Sequence, residues 1–242
     1  FQWYYSPRDL TFHQALDEFT DLFEFIIKEQ TQGKRVILPL SGGLDSRTQA
    51  AALYRLGAEV NAYSYQFENG YPETQIAKRI AKSCHFEFNG YTIPKGYLWE
   101  QLDELADINQ CYSDFTNPRQ MGIFDAFSSM GDLFSLGHWG DVLFDDMKVA
   151  EDLSLNAQVS VIMKKLLKKG GLELAESLWE SWALQGDFKN YLKNRIKELL
   201  QAINIPHSAN AQIRAFKSLY WAPRWSSINL SVFEKHHPIS LP

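Results

Sequence analysis

Ser41-Gly42-Gly43-Leu44-Asp45-Ser46 joins residue types that let a main chain hold phosphate. Glycines at 42 and 43 lack a Cβ, so the backbone can turn sharply there and approach a ligand closely. The apolar run Val36-Ile37-Leu38-Pro39-Leu40 precedes them and reads as a buried strand. Asp45 and Ser46 open a helical pattern through Arg47, Gln49, Ala50, Ala51, Ala52, Leu53 and Leu56. The amides and positive dipole end of that helix therefore face the glycine turn. Strand, turn and helix N-terminus together make an anion site suited to phosphate. An ordinary strand-to-helix turn needs neither the serine before the glycines nor the Asp-Ser pair after them. No Gly-Lys-Ser/Thr follows, so the loop is not of the Walker type.

The elements that must position this loop alternate along the chain. Leu10, Phe12, Leu16, Phe19, Leu22, Phe23, Ile26 and Ile27 recur at helical spacing and predict an amphipathic helix over 10–30. Strands are expected at 35–40, 60–67 and 86–93, with helices at 45–56 and 73–84 between them. Helical patterns follow at 97–108 and 119–130, then a short strand candidate at 132–136 and a second special loop at 137–146. This alternation implies parallel strands joined by right-handed crossovers. Ligands then sit beyond the carboxyl ends of the strands, which is where the glycine loop lies. After about Met147 only helices are expected, at 153–169, 172–184, 188–203 and 209–235. Gly170-Gly171, Gly186-Asp187 and Pro206 break them, and Pro223 should kink or split the last. The expected organisation is an N-terminal helix over 1–31, an α/β core over 32–147 and a helical lobe over 148–242.

Composition narrows the partners. A net charge of −5 over 242 residues argues against a broad nucleic-acid footprint, which needs a basic surface. Lys164, Lys165, Lys168 and Lys169 read as the solvated last turn of a helix, where cations suit the dipole. No apolar run reaches the length of a bilayer span and the N-terminus lacks a signal-peptide layout, so no membrane partner is expected. Cys84 and Cys111 form neither a disulfide framework nor a Cys-x-x-Cys motif, which makes a reducing cytoplasm the expected compartment. The opening on Phe1 and the turn-like close at 236–242 lead to the expectation of a piece of a longer polypeptide.

The loop at 41–46 resembles the pyrophosphate loop, Ser-Gly-Gly-x-Asp-Ser, of the ATP pyrophosphatases, which cleave ATP between the α and β phosphates. Two further stretches resemble the asparagine synthetases within that superfamily. One is Ser64-Tyr65-Gln66-Phe67 with Gly70-Tyr71-Pro72-Glu73, Ala77 and Ala81. The other is Gly137-His138-Trp139-Gly140-Asp141-Val142-Leu143-Phe144, similar to the signature Ser-Gly-Glu-Gly-x-Asp-Glu-Leu-Phe-Gly-Gly. His237-Pro238-Ile239-Ser240-Leu241-Pro242 is similar to the lead-in of a third family segment. The resemblance implies a doubly wound parallel α/β sheet of the PP-loop type with a C-terminal all-helical lobe. It implies Mg²⁺ and ATP, adenylation of aspartate or a related carboxylate with release of pyrophosphate, and amidation by ammonia. A glutaminase domain N-terminal to this one would supply that ammonia, and a homodimer is compatible with the reading. By position, Ser41, Gly42, Gly43, Asp45 and Ser46 would hold the pyrophosphate part of ATP. Leu40, Tyr65 and Gly137 would line adenine and ribose. Asp141 would face the reaction centre, and with Asp45 it would serve the magnesium, a hard cation that favours one or two carboxylates plus phosphate oxygens.

The departures from the pattern bear on the chemistry. His138 stands where the family signature has its first glutamate, Trp139 replaces a glycine, Val142 the second acid and Asp145-Asp146 the closing glycines. A histidine can take a proton from an attacking amine but does not coordinate magnesium as a carboxylate does. Its bland alternative is a packed residue beside a tryptophan. Arg47 is open between a phosphate contact and a helix face. The family's catalytic lysine would lie beyond Pro242. Two other readings stay open: a degenerate nucleotide-binding or regulatory module, and a tRNA-modifying ATP pyrophosphatase.

Overall fold

A computed structural model describes residues 6–110, 119–138, 140 and 146–241, the side chains of 224–229 excepted. Two compact units emerge, one formed by Asp9–His138 with Trp225–Pro242, the other by Phe1–Arg8 with Trp139–Arg224.

The first unit holds the sheet. Its elements in chain order are α1 (Phe12–Thr31), β1 (Val36–Pro39), α2 (Leu44–Arg55), β2 (Val60–Phe67), α3 (Glu73–Ser83) and β3 (Glu87–Ile93). Short helices α4 (Tyr97–Glu100) and α5 (Leu102–Asn109), a 3₁₀ segment (Arg119–Ala126) and α6 (Phe127–Met130) lead to β4 (Leu133–Ser135). The strand order is β3-β2-β1-β4-β5, all parallel, with β5 formed by Ile239–Ser240. This is the doubly wound α/β sheet expected of the sequence. β5 was not expected: residues 236–242 read as a turn, yet Phe134 N donates to Pro238 O at 2.9 Å and Leu136 N to Ser240 O at 3.0 Å.

The central strands β1, β2 and β4 bury both faces, which is why β1 is a continuous apolar run instead of an alternating one, whereas the edge strand β3 is largely exposed. Val36, Leu38 and Leu40 turn to one side with Val60 and Ala62, against Ala50 and Leu53 of α2 and Ala77 and Ala81 of α3. The spaced alanines let those helices approach the sheet. On the other side Ile37, Tyr63 and Phe134 meet Phe127 and Phe233. Phe127 is fully buried, with ring centroids 5.0 Å from Phe134, 5.5 Å from Tyr63 and 5.9 Å from Phe233. Tyr63 is also fully buried; burial raises its pKa well above the ordinary phenol value, and its hydroxyl finds no hydrogen-bond partner among the described residues.

The second unit is helical: α7 (Leu155–Lys165), α8 (Lys169–Ser181), α9 (Phe188–Ile203), α10 (Ala209–Phe216) and a π-helical stretch over Lys217–Trp221. Side chains cap three of these helices, Ser154 to Ala157 N, Asp187 to Asn190 N and Ser208 to Ala211 N. Met147, Val159, Ile162, Ile196, Leu200, Ile213 and Phe216 form its core. The expected break at Gly170-Gly171 falls slightly earlier, and both glycines sit in the first turn of α8. The single helix expected over 209–235 carries a π-helical stretch just ahead of Pro223, with Ala222 N donating to Lys217 O, and continues as α11 (Ala222–Glu234). Pro223, inside this continuous helical path, has no N–H to give to the ladder. No helix among the described residues is long and apolar enough to cross a membrane.

Phe127→Ala should destabilise the sheet unit by about 3–5 kcal/mol, because the cavity left between Tyr63, Phe134 and Phe233 cannot collapse against rigid strands. Urea denaturation followed by near-ultraviolet circular dichroism checks this, and a loss below about 1 kcal/mol would mean that the aromatic cluster relaxes freely.

Candidate phosphate-binding site

β1 lies between β2 and β4, so the strand order reverses at its edge. Open α/β sheets bind ligands in the crevice this creates at the carboxyl ends. Residues 41–46 leave β1 at that end. Leu40, buried, anchors the exit by donating its amide to Tyr63 O at 2.7 Å.

Two serines fold the loop. Ser41 N donates to Ser46 Oγ at 3.2 Å, and the two hydroxyl oxygens lie 3.1 Å apart. Gly43 N donates to Ser41 Oγ at 3.1 Å. The loop is thereby drawn onto the first turn of α2. Gly43 is the N-cap and offers no capping side chain. The amides of Leu44, Asp45 and Ser46 have no acceptor within the helix, as at any helix start. They are donors for an external anion, and the helix dipole adds to their pull. Asp45 is exposed in that first turn, Ser46 is buried beneath it, and Arg47 reaches back to donate Nε to Gly43 O at 3.2 Å.

Close backbone approach explains the glycines. A Cβ at Gly42 would lie 3.3 Å from Ile76 Cγ2 on α3. A Cβ at Gly137 would lie 3.2 Å from Asp45 Cβ and 3.3 Å from Asp45 C. The exit of β4 therefore rests directly on the first turn of α2, and two motifs separated by some ninety residues of sequence meet there. His138 follows, half-buried. Asp141 lies outside the described residues, as do Trp139 and Val142.

Tyr65 belongs to β2. The register Pro39↔Tyr63, continued by two residues, brings it level with Ser41 on the neighbouring strand. Its hydroxyl shares a hydrogen bond with Arg119; burial raises the phenol pKa, and the guanidinium partly offsets that rise. Arg119 also stands 5.9 Å over the Phe67 ring. Sequence reasoning missed Arg119, which marked only the start of a helical pattern. It missed Gln49 too, whose Oε1 accepts from Ser135 Oγ of β4 at 3.2 Å. Nothing local in the sequence signals that pair. Among the described residues no group of three or more His, Cys, Asp or Glu side chains could cage a metal.

A family model described as asparagine synthase matches residues 18–229. The comparison with curated proteins finds no match. Among solved structures, the chain is similar to an NH3-dependent NAD synthetase from Campylobacter jejuni, at 16% identity and a TM-score of 0.35, over 81% of this chain and 98% of that one. It is also similar to a structure titled as a predicted subunit of tRNA methyltransferase from Methanocaldococcus jannaschii, at 19% identity and a TM-score of 0.31. That match covers 55% of this chain and spans 64% of the other's length.

Gly42→Val should weaken binding of inorganic pyrophosphate at least about tenfold, since a branched side chain collides with Ile76 and pushes the amides apart. Isothermal titration of the two proteins measures it, with far-ultraviolet circular dichroism to show the sheet intact; equal affinities would mean that the loop does not grip the anion through its backbone.

Proposed function

Because the chain belongs to the asparagine synthase family, an ATP-utilising group of ligase type, we propose that it adenylates a carboxylate with release of pyrophosphate and passes the acyl group to ammonia. The observation that carries this reading is the seating of Gly137 on the first turn of α2, beside the serine-fastened loop. Such a seat lets one nucleotide touch both loops, its phosphates at residues 41–46 and its nucleoside toward Leu40, Tyr65 and Gly137.

In this reading the amides of Leu44, Asp45 and Ser46 hold the β and γ phosphates, so that charge accumulating on the departing pyrophosphate is met by fixed donors. Ser41 and Ser46 keep those donors aimed by bonding each other. The donor set fits magnesium carried in on the phosphates: one exposed carboxylate, Asp45, stands at the loop, with Asp141 as the second candidate, and a magnesium ion needs few protein ligands when phosphate oxygens supply the rest. Bound there, the ion would offset phosphate charge. His138, next to Gly137, is placed by sequence to take a proton from the attacking ammonia, and its neutral form is the active one. The acceptor class is aspartate or a related acid, with ammonia delivered by a glutaminase domain.

Asp45→Ala should weaken ATP binding at least about tenfold, measured by calorimetry with magnesium present, because the variant loses a charge-bearing group beside the phosphates. Unchanged affinity would remove Asp45 from the site. Asp141→Asn should fold normally and lose ATP–pyrophosphate exchange, assayed across a panel of carboxylic acids beginning with aspartate. Exchange at the parent rate in that variant would leave Asp141 outside the mechanism.

A further inference from the structure

Ser46 and Gln49 lie three residues apart on the buried face of α2, in a row with Ala50, Ala52 and Leu53. They are the two polar members of an otherwise apolar face, and each is bonded to a different strand exit. Ser46 Oγ joins the loop that leaves β1, lying 3.2 Å from the Ser41 amide. Gln49 Oε1 accepts from Ser135 Oγ of β4 at 3.2 Å, and the two residues are 2% and 0% exposed. Two residues beyond Ser135 comes Gly137, whose backbone presses on Asp45. α2 thus bridges the crevice, tied on one side to β1 and on the other to β4.

Burying an amide and a hydroxyl is unfavourable unless they pair, and a matched apolar pair of the same shape would pack the helix about as well. What an apolar contact lacks is direction. It lets a helix slide along a strand by fractions of an ångström, whereas a hydrogen bond between two buried groups sets one register. We infer that Gln49 is a positioning residue: through Ser135 it fixes the spacing between the phosphate loop and the Gly137-His138 loop. The part of this inference that concerns nucleotide rests on the ATP reading above. The geometric part does not.

The test is the paired variant Gln49→Met with Ser135→Ala, which keeps bulk at 49 and leaves no orphaned hydroxyl at 135. Three measurements are made on it and on the parent: thermal melting, amide hydrogen exchange over residues 136–138, and calorimetry with magnesium pyrophosphate and with magnesium ATP. The expected result is a melting temperature within a few degrees of the parent and exchange at 136–138 at least tenfold faster. Pyrophosphate, which needs only the first loop, should bind as before, while ATP, which needs both, should bind at least tenfold more weakly. Unchanged exchange overturns the inference, as does a parallel loss of pyrophosphate and ATP affinity, which would mark a general loosening of α2. Should the parent bind neither ligand, the ATP reading falls and the exchange rates alone decide whether Gln49 positions the loop. If the paired variant does not fold, Ser135→Ala alone replaces it, with the same exchange outcome required.

Discussion

The open amides at the start of α2 constrain everything around them. A helix N-terminus can serve an anion only if no side chain caps it and no neighbouring side chain fills the space in front of it. Both conditions appear as glycine: Gly43 at the cap, Gly42 under Ile76 and Gly137 against Asp45. Since the cap residue cannot fasten the loop, that task moves to Ser41 and Ser46, whose hydroxyls reach each other and the amides and carbonyls of Ser41 and Gly43. The serines, the glycines and the bare cap are one solution to one requirement.

The sheet must then bring a second loop within reach. With β2 on one side of β1 and β4 on the other, the chain crosses to opposite faces before and after β3, and the exits of β1 and β4 come to share one crevice. The crossover from β3 to β4 places Phe124 and Phe127 over the face that α2 and α3 leave uncovered. A sheet covered on both sides has no slack in it, which suits a site made from backbone positions. Strand β4 is only three residues long and its neighbour β5 two, so few ladder bonds fix its register. A directional bond from α2 to Ser135 adds to the few that hold this short strand.

Legibility of the sequence followed the range of the interactions involved. β1 and β2 announced themselves because a strand buried on both faces is a run of β-formers, and β2 begins and ends where the residues at 60 and 67 suggested. β3, a largely exposed edge strand, was marked by its aromatic and β-branched residues and by the proline that follows it. The phosphate loop was readable because its chemistry lies within six consecutive residues. β5 escaped notice because two residues carry no period, and its pairing with β4 is made across about a hundred residues. The π-helical stretch at Lys217–Trp221 escaped too: the proline at 223 signalled an interruption, but a break just ahead of it has no compositional mark. Gln49 entered only as one member of a helical pattern, since only the partner strand shows that it points inward. Arg119 was hidden for the same reason, its partners Tyr65 and Phe67 belonging to a distant strand.

The two loops place different demands on the chain, and that difference bears on how such a site changes. A phosphate grip made of main-chain amides tolerates drift at most side chains, provided the glycines and hydroxyls remain. Those are intact here. In the proposed reading the second loop works through side chains, and there the chain differs most from the family pattern, with histidine for glutamate at 138 and valine for an acid at 142. In the proposed reaction such changes would bear on proton transfer and charge at the acceptor, not on the phosphate grip. Gly137, whose missing Cβ lets it lie close against Asp45, keeps its place between the two regimes. It belongs by contact to the phosphate loop and by sequence to the variable one. The geometry of the nucleotide seat can therefore persist while the chemistry carried one or more residues further along is replaced.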